Sequence, residues 1–261
     1  MKDVRRLAAC LAVAAVCALV APTADATLVH RYTFDADNVA DSAGGLDGTI
    51  VGTLAFDSTD PQQGAKAAVF SGDDYVDFAS SAFSASQFTV TLWVRPATGS
   101  LSPVETFLSN KGGGNDDGFA LWWLTSNGSA YVETAHNNLG DSAISNAGVV
   151  TAGAWQHLAF AVDRLAGIAT IYLNALDVTN NSSIRTDFDV DGAWRMGLFT
   201  DNQFPLHAVL DDVRIYDELL DSDALALIMS QPDGVIPEPV TLVSSALLFG
   251  LAGLMARRRA P

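Results

Sequence analysis

The chain has 261 residues, of which 49% are hydrophobic and 17% charged, and its 30 Asp and Glu against 14 Lys and Arg give a formal net charge of −16. That balance excludes nucleic acid as a partner, because phosphates must be neutralised by cationic side chains, and it excludes anionic lipid headgroups outside the C-terminal tail. The length suits one all-β sandwich with ample core, set between two terminal targeting segments.

Lys2, Arg5 and Arg6 form a positive n-region, and Leu7 to Val20 an apolar h-region. Ala24-Asp25-Ala26 is an A-x-A cleavage site, so residues 1–26 read as a signal peptide and the mature chain is predicted to begin at Thr27. Cys10 and Cys17 both fall in that leader, which leaves the mature protein without disulfides or thiol chemistry. An exported domain of this kind must be held by its own core, helped at most by a metal. Without residues 1–26 and 257–261 there remain 8 Lys and Arg against 28 Asp and Glu, a net charge of −20. Acidity on this scale serves solubility, and it also suits calcium, which takes oxygen ligands.

From Thr27 onward the pattern is almost entirely that of strands. Leu28–Phe34 alternates, and Thr49–Leu54 follows a Gly/Asp turn. Ala67–Phe70 and Tyr75–Phe78 flank Ser71-Gly-Asp-Asp74, which reads as a hairpin. Phe88–Val94 is a strong strand closed by Pro96, and Thr106–Ser109 and Phe119–Leu124 flank the Gly-rich segment Gly112–Gly118. Ala130–Glu133, Trp155–Val162, Ala169–Leu173 and Val209–Tyr216 complete the set. Short strands at this spacing, with Gly, Asn and Asp turns between them, predict a sandwich. One short helix is predicted, capped by Ser222-Asp223 and running to about Met229.

Six of these segments carry a family resemblance. Phe70-Ser-Gly-Asp-Asp-Tyr-Val76 and Phe88-Thr-Val-Thr-Leu-Trp-Val-Arg-Pro96 resemble two signature stretches of laminin G-like, concanavalin A-like domains. So do Trp155-Gln-His-Leu-Ala-Phe-Ala-Val-Asp163, Leu210-Asp-Asp-Val-Arg-Ile-Tyr216 with Leu219-Leu-Asp-Ser222, and Tyr32-Thr-Phe-Asp35 with Asp41–Gly45 and Asp47–Thr49. Ile171-Tyr-Leu-Asn174 is similar to the family's Y-V-N-G hairpin, with Ala175 in place of the usual Gly. Over residues 27–230 the resemblance implies a jelly-roll sandwich of two antiparallel sheets, one concave and one convex. It places Trp93, Trp155 and Trp194 in the core and makes His157 a structural residue.

The resemblance also implies one structural Ca²⁺ between the first and last strands, with Asp35 and Asp211 as ligands and carbonyls near Asp47-Gly48 completing the shell. By the period of two, Asp211 shares a face with Val213 and Ile215 and should point inward. A buried carboxylate needs a partner, so the alternative to calcium is that Asp211 accepts backbone N–H groups from the Asp41–Gly45 loop. Asp187-Phe-Asp-Val-Asp-Gly192 matches half of an EF-hand loop, but Leu198 stands where the bidentate Glu belongs, so a turn lined with solvated carboxylates is expected. Glu105, Glu133 and Glu218 show none of the clustered E-x-D-x-E spacing used by glycosidases on this fold, and no G-x-S-x-G or H-E-x-x-H occurs. The domain is therefore read as non-catalytic. Trp122 and Trp123 are adjacent in a strand, so one ring packs inward and the other faces out. An exposed indole is a stacking platform for a pyranose, with Tyr131, His136 and Asn137 as predicted neighbours; the other possibility is that the outward Trp covers the sheet edge or packs under the Gly112–Gly118 loop.

Ser230-Gln-Pro-Asp-Gly234 reads as a joint, with residues 231–236 as a linker. Then come Pro237-Glu238-Pro239, a charge-free run from Val240 to Ala256, and Arg257-Arg258-Arg259. The run makes roughly 25 Å of helix, at the low end of what spans a hydrocarbon core. The arginines resist translocation, which puts everything before Pro237 outside the cytoplasm. This arrangement over 237–261 resembles the PEP-CTERM sorting signal, which implies an exosortase as partner, a Gram-negative producer and often an exopolysaccharide around it. A plain membrane anchor is the alternative. Together these features predict an exported surface or matrix protein that binds carbohydrate or another surface protein; a purely structural matrix module and a degenerate glycosidase are the other readings.

Overall fold

The computed structural model describes residues 27–84 and 86–230. The predicted signal peptide with its predicted Ala24–Ala26 cleavage site, the predicted linker, the predicted span 240–256 and the predicted sorting residues Pro237, Glu238, Pro239, Arg257, Arg258 and Arg259 lie outside the described residues. Among the described residues no helix is long and apolar enough to cross a membrane.

The chain folds as a jelly-roll-like sandwich of two antiparallel sheets, each with eight strands among the described residues. The first sheet runs in the order β13 (Leu176–Asp177), β12 (Ile168–Leu173), β11 (Gln156–Asp163), β6 (Gln87–Pro96), β16 (His207–Tyr216), β4 (Ala67–Ser71) and β3 (Ala55–Asp57), with β1 (Leu28–Tyr32) paired to the far half of β16. The second runs β14 (Thr179–Asn181), β10 (Leu139–Ser145), β9 (Ser129–His136), β8 (Gly118–Leu124), β7 (Val104–Ser109), β15 (Trp194–Met196), β5 (Tyr75–Phe78) and β2 (Thr49–Val51). Alternation sets the core. Phe88, Val90, Leu92 and Val94 of β6 and Leu158, Phe160 and Val162 of β11 face Phe119, Leu121 and Trp123 of β8 in one apolar cluster. Each such side chain contributes about 1.5–3 kcal/mol by leaving water. At one end Phe78 and Trp194 stack with ring centroids 3.7 Å apart. These aromatics do for residues 27–230, which contain no cysteine, what disulfides do elsewhere.

Three local expectations are corrected. Residues 71–74 are not a hairpin, because β4 belongs to the first sheet and β5 to the second. Gly72 takes φ +94°, and the buried Asp74 accepts the Ser71 N–H and hydroxyl, so the segment turns the chain from one sheet to the other. Asp211 does not share a face with Val213 and Ile215. Leu210 pairs with Val94 and points inward; Asp211 pairs with Trp93 on the outer face; then the register slips, and Ile215 pairs with Val90 in the core. The slip is a bulge with Asp212 at φ 46°, which breaks the period of two. Asp212 is held there by Arg31 Nε at 2.8 Å and Arg214 Nε at 2.9 Å. Trp155 is not core either: its ring is half-buried, with the Arg95 guanidinium 5.1 Å above it and its N–H donated to the Asp60 carbonyl. Trp194 is a core residue, and Trp93 is buried against His157 on the outer side of the first sheet.

At the β12–β13 hairpin both Asn174 and Ala175 have positive φ, which makes the turn type I′ with Ala in a position Gly usually takes. The single helix among the described residues, α1 (Ser222–Ser230), is capped by Asp221, whose carboxylate accepts the Ala224 N–H at 2.9 Å, and not by Ser222-Asp223. It lays Leu225 and Ile228 on Ala159, Tyr216 and Leu220, covering part of the outer face of the first sheet.

Candidate functional site

The outer face of the second sheet carries the predicted aromatics. Phe119, Leu121 and Trp123 of β8 point into the core, so Trp122 stands outward and half-buried between them. Its cross-strand partner on β9 is Tyr131, and the two rings stack at 3.9 Å with planes 6° apart. Trp122 Nε1 donates to Glu133 Oε2 at 2.9 Å, and Glu133 Oε1 accepts from Lys111 Nζ at 2.8 Å. Lys111 is buried; its other protons go to the Gly112 and Gly114 carbonyls, both at 2.8 Å, and its ammonium lies 5.1 Å from the centre of the Phe199 ring. One chain of contacts thus runs from the Gly-rich loop through Lys111 and Glu133 to the indole. Stacking uses one face of each ring, and Glu133 takes the indole N–H. What Trp122 and Tyr131 offer is therefore an upright ridge, rather than the flat plate expected. Half-buried Leu124 and Val104, paired with each other, and Ile144, paired with Tyr131, extend this ridge as an apolar band.

His136 and Asn137 do not join it. His136 lies five residues beyond Tyr131 on β9, roughly 17 Å along the strand. Its Nδ1 sits 3.1 Å from Asp117 Oδ2, and the Asn137 N–H donates to Asp117 Oδ1 at 2.8 Å. Asn137 and Asn138 both take positive φ and form the β9–β10 turn. These residues fasten the Gly-rich loop to that turn. Glu133 and Lys111 were missed by sequence reasoning; the available signal was that Glu133 follows Tyr131 by two on a strand and so must share its face.

The two predicted metal ligands meet around one loop. Asp211 Oδ2 accepts the Gln62 and Gln63 N–H groups at 2.8 Å each, and Asp35 Oδ1 accepts those of Ala65 and Lys66. The backbone partner of Asp211 is thus the 62–66 loop and not Asp41–Gly45. That second loop is pinned by Asp41 itself, which accepts the Arg31, Ala43, Gly44 and Leu46 N–H groups and contacts His30 Nδ1 at 2.6 Å. These bonds hold the Asp41 carboxyl below the usual range despite its burial. Asp211 goes the other way, pushed up to about 7 by burial. Its Oδ1 is buried with no hydrogen-bond partner among the described residues, which is the observation that fits a cation beside it. Among the described residues no group of three or more His, Cys, Asp or Glu is placed to hold a metal, so carbonyl oxygens would have to fill such a shell. In the 187–192 turn, Asp187 pairs with Arg185 and Asp189 accepts the Asp191 N–H.

Glu105 and Glu133 point to opposite faces of the second sheet. Glu105 is opposite Trp123, whose ring is in the core, while Glu133 is opposite Ala120 on the outer side. Burial raises the Glu105 carboxyl, which accepts the Leu101 and His207 N–H groups. His157 is buried and pushed down to about 4 by desolvation, so it is a neutral packing group against Trp93.

Solved structures similar to this fold include domain 4 of AbnA, a GH43 extracellular arabinanase from Geobacillus stearothermophilus, in complex with arabinotriose. It is 23% identical with a TM-score of 0.61, and the match covers 80% of this chain and 100% of that one. The binding domain of botulinum neurotoxin serotype G is 16% identical with a TM-score of 0.58, covering 78% of this chain and 51% of that one. The binding domain of Paraclostridial Mosquitocidal Protein 1 is 15% identical with a TM-score of 0.59, covering 77% and 51%. These likenesses establish the fold. No curated protein matches the sequence. Residues 70–226, more than half of the chain, match a laminin G-type family model, and the chain therefore belongs to the Concanavalin A-like lectin/glucanases superfamily.

Proposed function

We propose that this is an exported, non-catalytic binding protein of the cell surface or extracellular matrix, sorted by an exosortase, whose sandwich takes carbohydrate on the Trp122–Tyr131 ridge. The observation that carries the reading is the ridge itself. Two aromatic side chains stand outward on one sheet face, stacked at 3.9 Å and held by Glu133 and the buried Lys111. Order of this kind lets a ligand bind without first freezing the side chains it touches. A sugar presents an apolar ring face and hydroxyl edges, which suits an aromatic surface bordered by Leu124 and Ile144. The likeness to a domain seen with arabinotriose supports a glycan as the ligand. The opposed directions of Glu105 and Glu133 support binding without hydrolysis, which needs two carboxyl groups flanking one bond.

A structural Ca²⁺ held by Asp35 and Asp211 belongs to the same proposal; it would tie the first strand, the 62–66 loop and the last strand together. The binding test is retention of the protein on the producer's exopolysaccharide and on a glycan array. Trp122→Ala should weaken capture at least tenfold, while Trp155→Ala should leave it unchanged. Equal capture of wild type and Trp122→Ala, or none of either, rejects the ridge as a glycan site.

A further inference from the structure

The turn Thr125–Gly128 joins β8 to β9 and holds the one Asn-Gly pair in the sequence, Asn127-Gly128. Such a pair is chemically labile. The glycine nitrogen, once deprotonated, attacks the Asn side-chain carbonyl carbon and closes a five-membered succinimide, and the side-chain nitrogen leaves as ammonia. Water then opens the ring to aspartate, or to isoaspartate with one extra carbon in the main chain. Glycine favours the attack because no side chain shields its nitrogen.

The fold requires glycine here. Gly128 has φ +71°, and a Cβ on it would lie 2.6 Å from the Val150 carbonyl oxygen. That close approach is a fastening. The Gly148 N–H donates to the Asn127 carbonyl and the Val150 N–H to the Gly128 carbonyl, both at 2.8 Å. Val149 and Val150 are buried in the core, and their segment carries the chain from β10 in the second sheet to β11 in the first. The labile pair thus anchors a crossover between the sheets.

The same turn occupies both reacting groups. The Gly128 N–H donates to the Leu124 carbonyl at 2.8 Å, so losing its proton would set a negative nitrogen against a carbonyl oxygen. Asn127 Oδ1 accepts the Ser129 N–H at 2.9 Å, a bond of the Asx-turn kind that fixes the side chain. Asn127 is exposed, but Gly128 is buried. Attack therefore waits on local opening of the turn.

We infer that Asn127-Gly128 is a self-modification site that the fold holds shut, and that isoaspartate formed there unfastens the 148–150 crossover. The extra main-chain carbon shifts the Asn127 and Gly128 carbonyls away from the two N–H groups they hold. The inference does not depend on the ridge. In the test, the full-length chain in detergent is aged in mildly alkaline buffer, both folded and in concentrated urea. Peptide mapping follows the one-dalton gain and the isoaspartate at residue 127. Conversion should be at least tenfold slower in the folded protein. Protein aged in urea is then refolded beside unaged protein carried through the same steps, and amide exchange is compared at Gly148 and Val150. Both amides should lose protection in isoaspartyl chains. Both should keep it in Asn127→Asp, which has the new charge on an ordinary backbone. Equal conversion rates in the folded and unfolded protein overturn the shut site. Isoaspartyl chains with both amides protected as in unaged protein overturn the unfastening. Loss of protection in Asn127→Asp also overturns it, by assigning the effect to charge.

Discussion

A buried ammonium without an anion costs a fold several kcal/mol, and Lys111 escapes that state through one carboxylate. Glu133 is its only acidic partner among the described residues, and the same carboxylate orients Trp122. Glu133→Ala should therefore cost about 2–4 kcal/mol, less than a fully buried pair because the Glu133 side chain is 20% exposed. Lys111→Met with Glu133→Gln should recover part of that loss, since no buried charge then lacks a partner. Denaturant unfolding of the three proteins checks the order; equal stability of wild type and Glu133→Ala would sink the account. Asp211 poses the same problem with the opposite sign. Its orphaned Oδ1 predicts that Ca²⁺ stabilises the domain, by about 2.7 kcal/mol when free calcium is ~100 times its dissociation constant. Melting with EDTA and with excess Ca²⁺ should give separate curves for the wild type and coincident ones for Asp211→Asn. Coincident wild-type curves would refute a stabilising site.

At the scale of elements, the helix α1 owes its start to one side chain. Asp221→Ala removes the acceptor for the Ala224 N–H and should cost about 1 kcal/mol, read as a lower melting temperature with an unchanged core. No change on replacement would mean the helix is held by Leu225 and Ile228 alone. The strands were legible because one face of each is buried: Phe88, Val90, Leu92 and Val94 announce β6 without help. What failed was what alternation cannot carry. The bulge at Asp212 moved Asp211 to the other face, and nothing in Leu210–Tyr216 marks an extra residue. The 71–74 segment looks like a hairpin because local turn chemistry is the same whether the next strand joins this sheet or the opposite one. The Trp122–Tyr131 contact was foreseeable from period and order, whereas His136 and Asn137 were displaced from the ridge by strand length alone. Trp155 was misplaced for a related reason, as it sits just before β11 begins, where burial is no longer imposed by the sheet.

For the whole molecule, acidity and a neutral buried imidazole make stability depend on pH. His157 titrates near 6.5 in an unfolded chain but only at about 4 in the fold, because burial disfavours its charged form. Between those values the unfolded state binds more protons. Stability should therefore fall as pH drops from 6.5 toward 4, by up to about 3 kcal/mol from this residue. Asp211 acts in the opposite direction over an overlapping range, since its raised value means the fold binds the extra proton between about 4 and 7. The difference between wild type and His157→Leu isolates the imidazole: the gap in unfolding free energy should change steadily between pH 7 and 4.5. A gap independent of pH would show that His157 takes up its proton as readily in the fold as in the unfolded chain.

The molecule's two ends decide where any of this operates. A net charge of −20 between the predicted cleavage site and Arg257 gives the folded part no attraction to an anionic membrane, so any hold on the membrane must come from the apolar run 240–256. A plain anchor and a sorting signal use that run in opposite ways: one keeps it, the other discards it with the arginines that stop translocation. Intact mass distinguishes them in one measurement on protein from the native producer. Sorting predicts a surface or matrix form that begins at Thr27 and lacks Arg257–Arg259, together with a membrane-bound precursor that accumulates when the exosortase is removed. Replacing Pro237 and Pro239 by Ala should shift the balance to the precursor while leaving the 27–230 sandwich folded. A surface form that retains all three arginines would establish the anchor instead, and the ridge would then meet its ligand at the membrane rather than in the matrix.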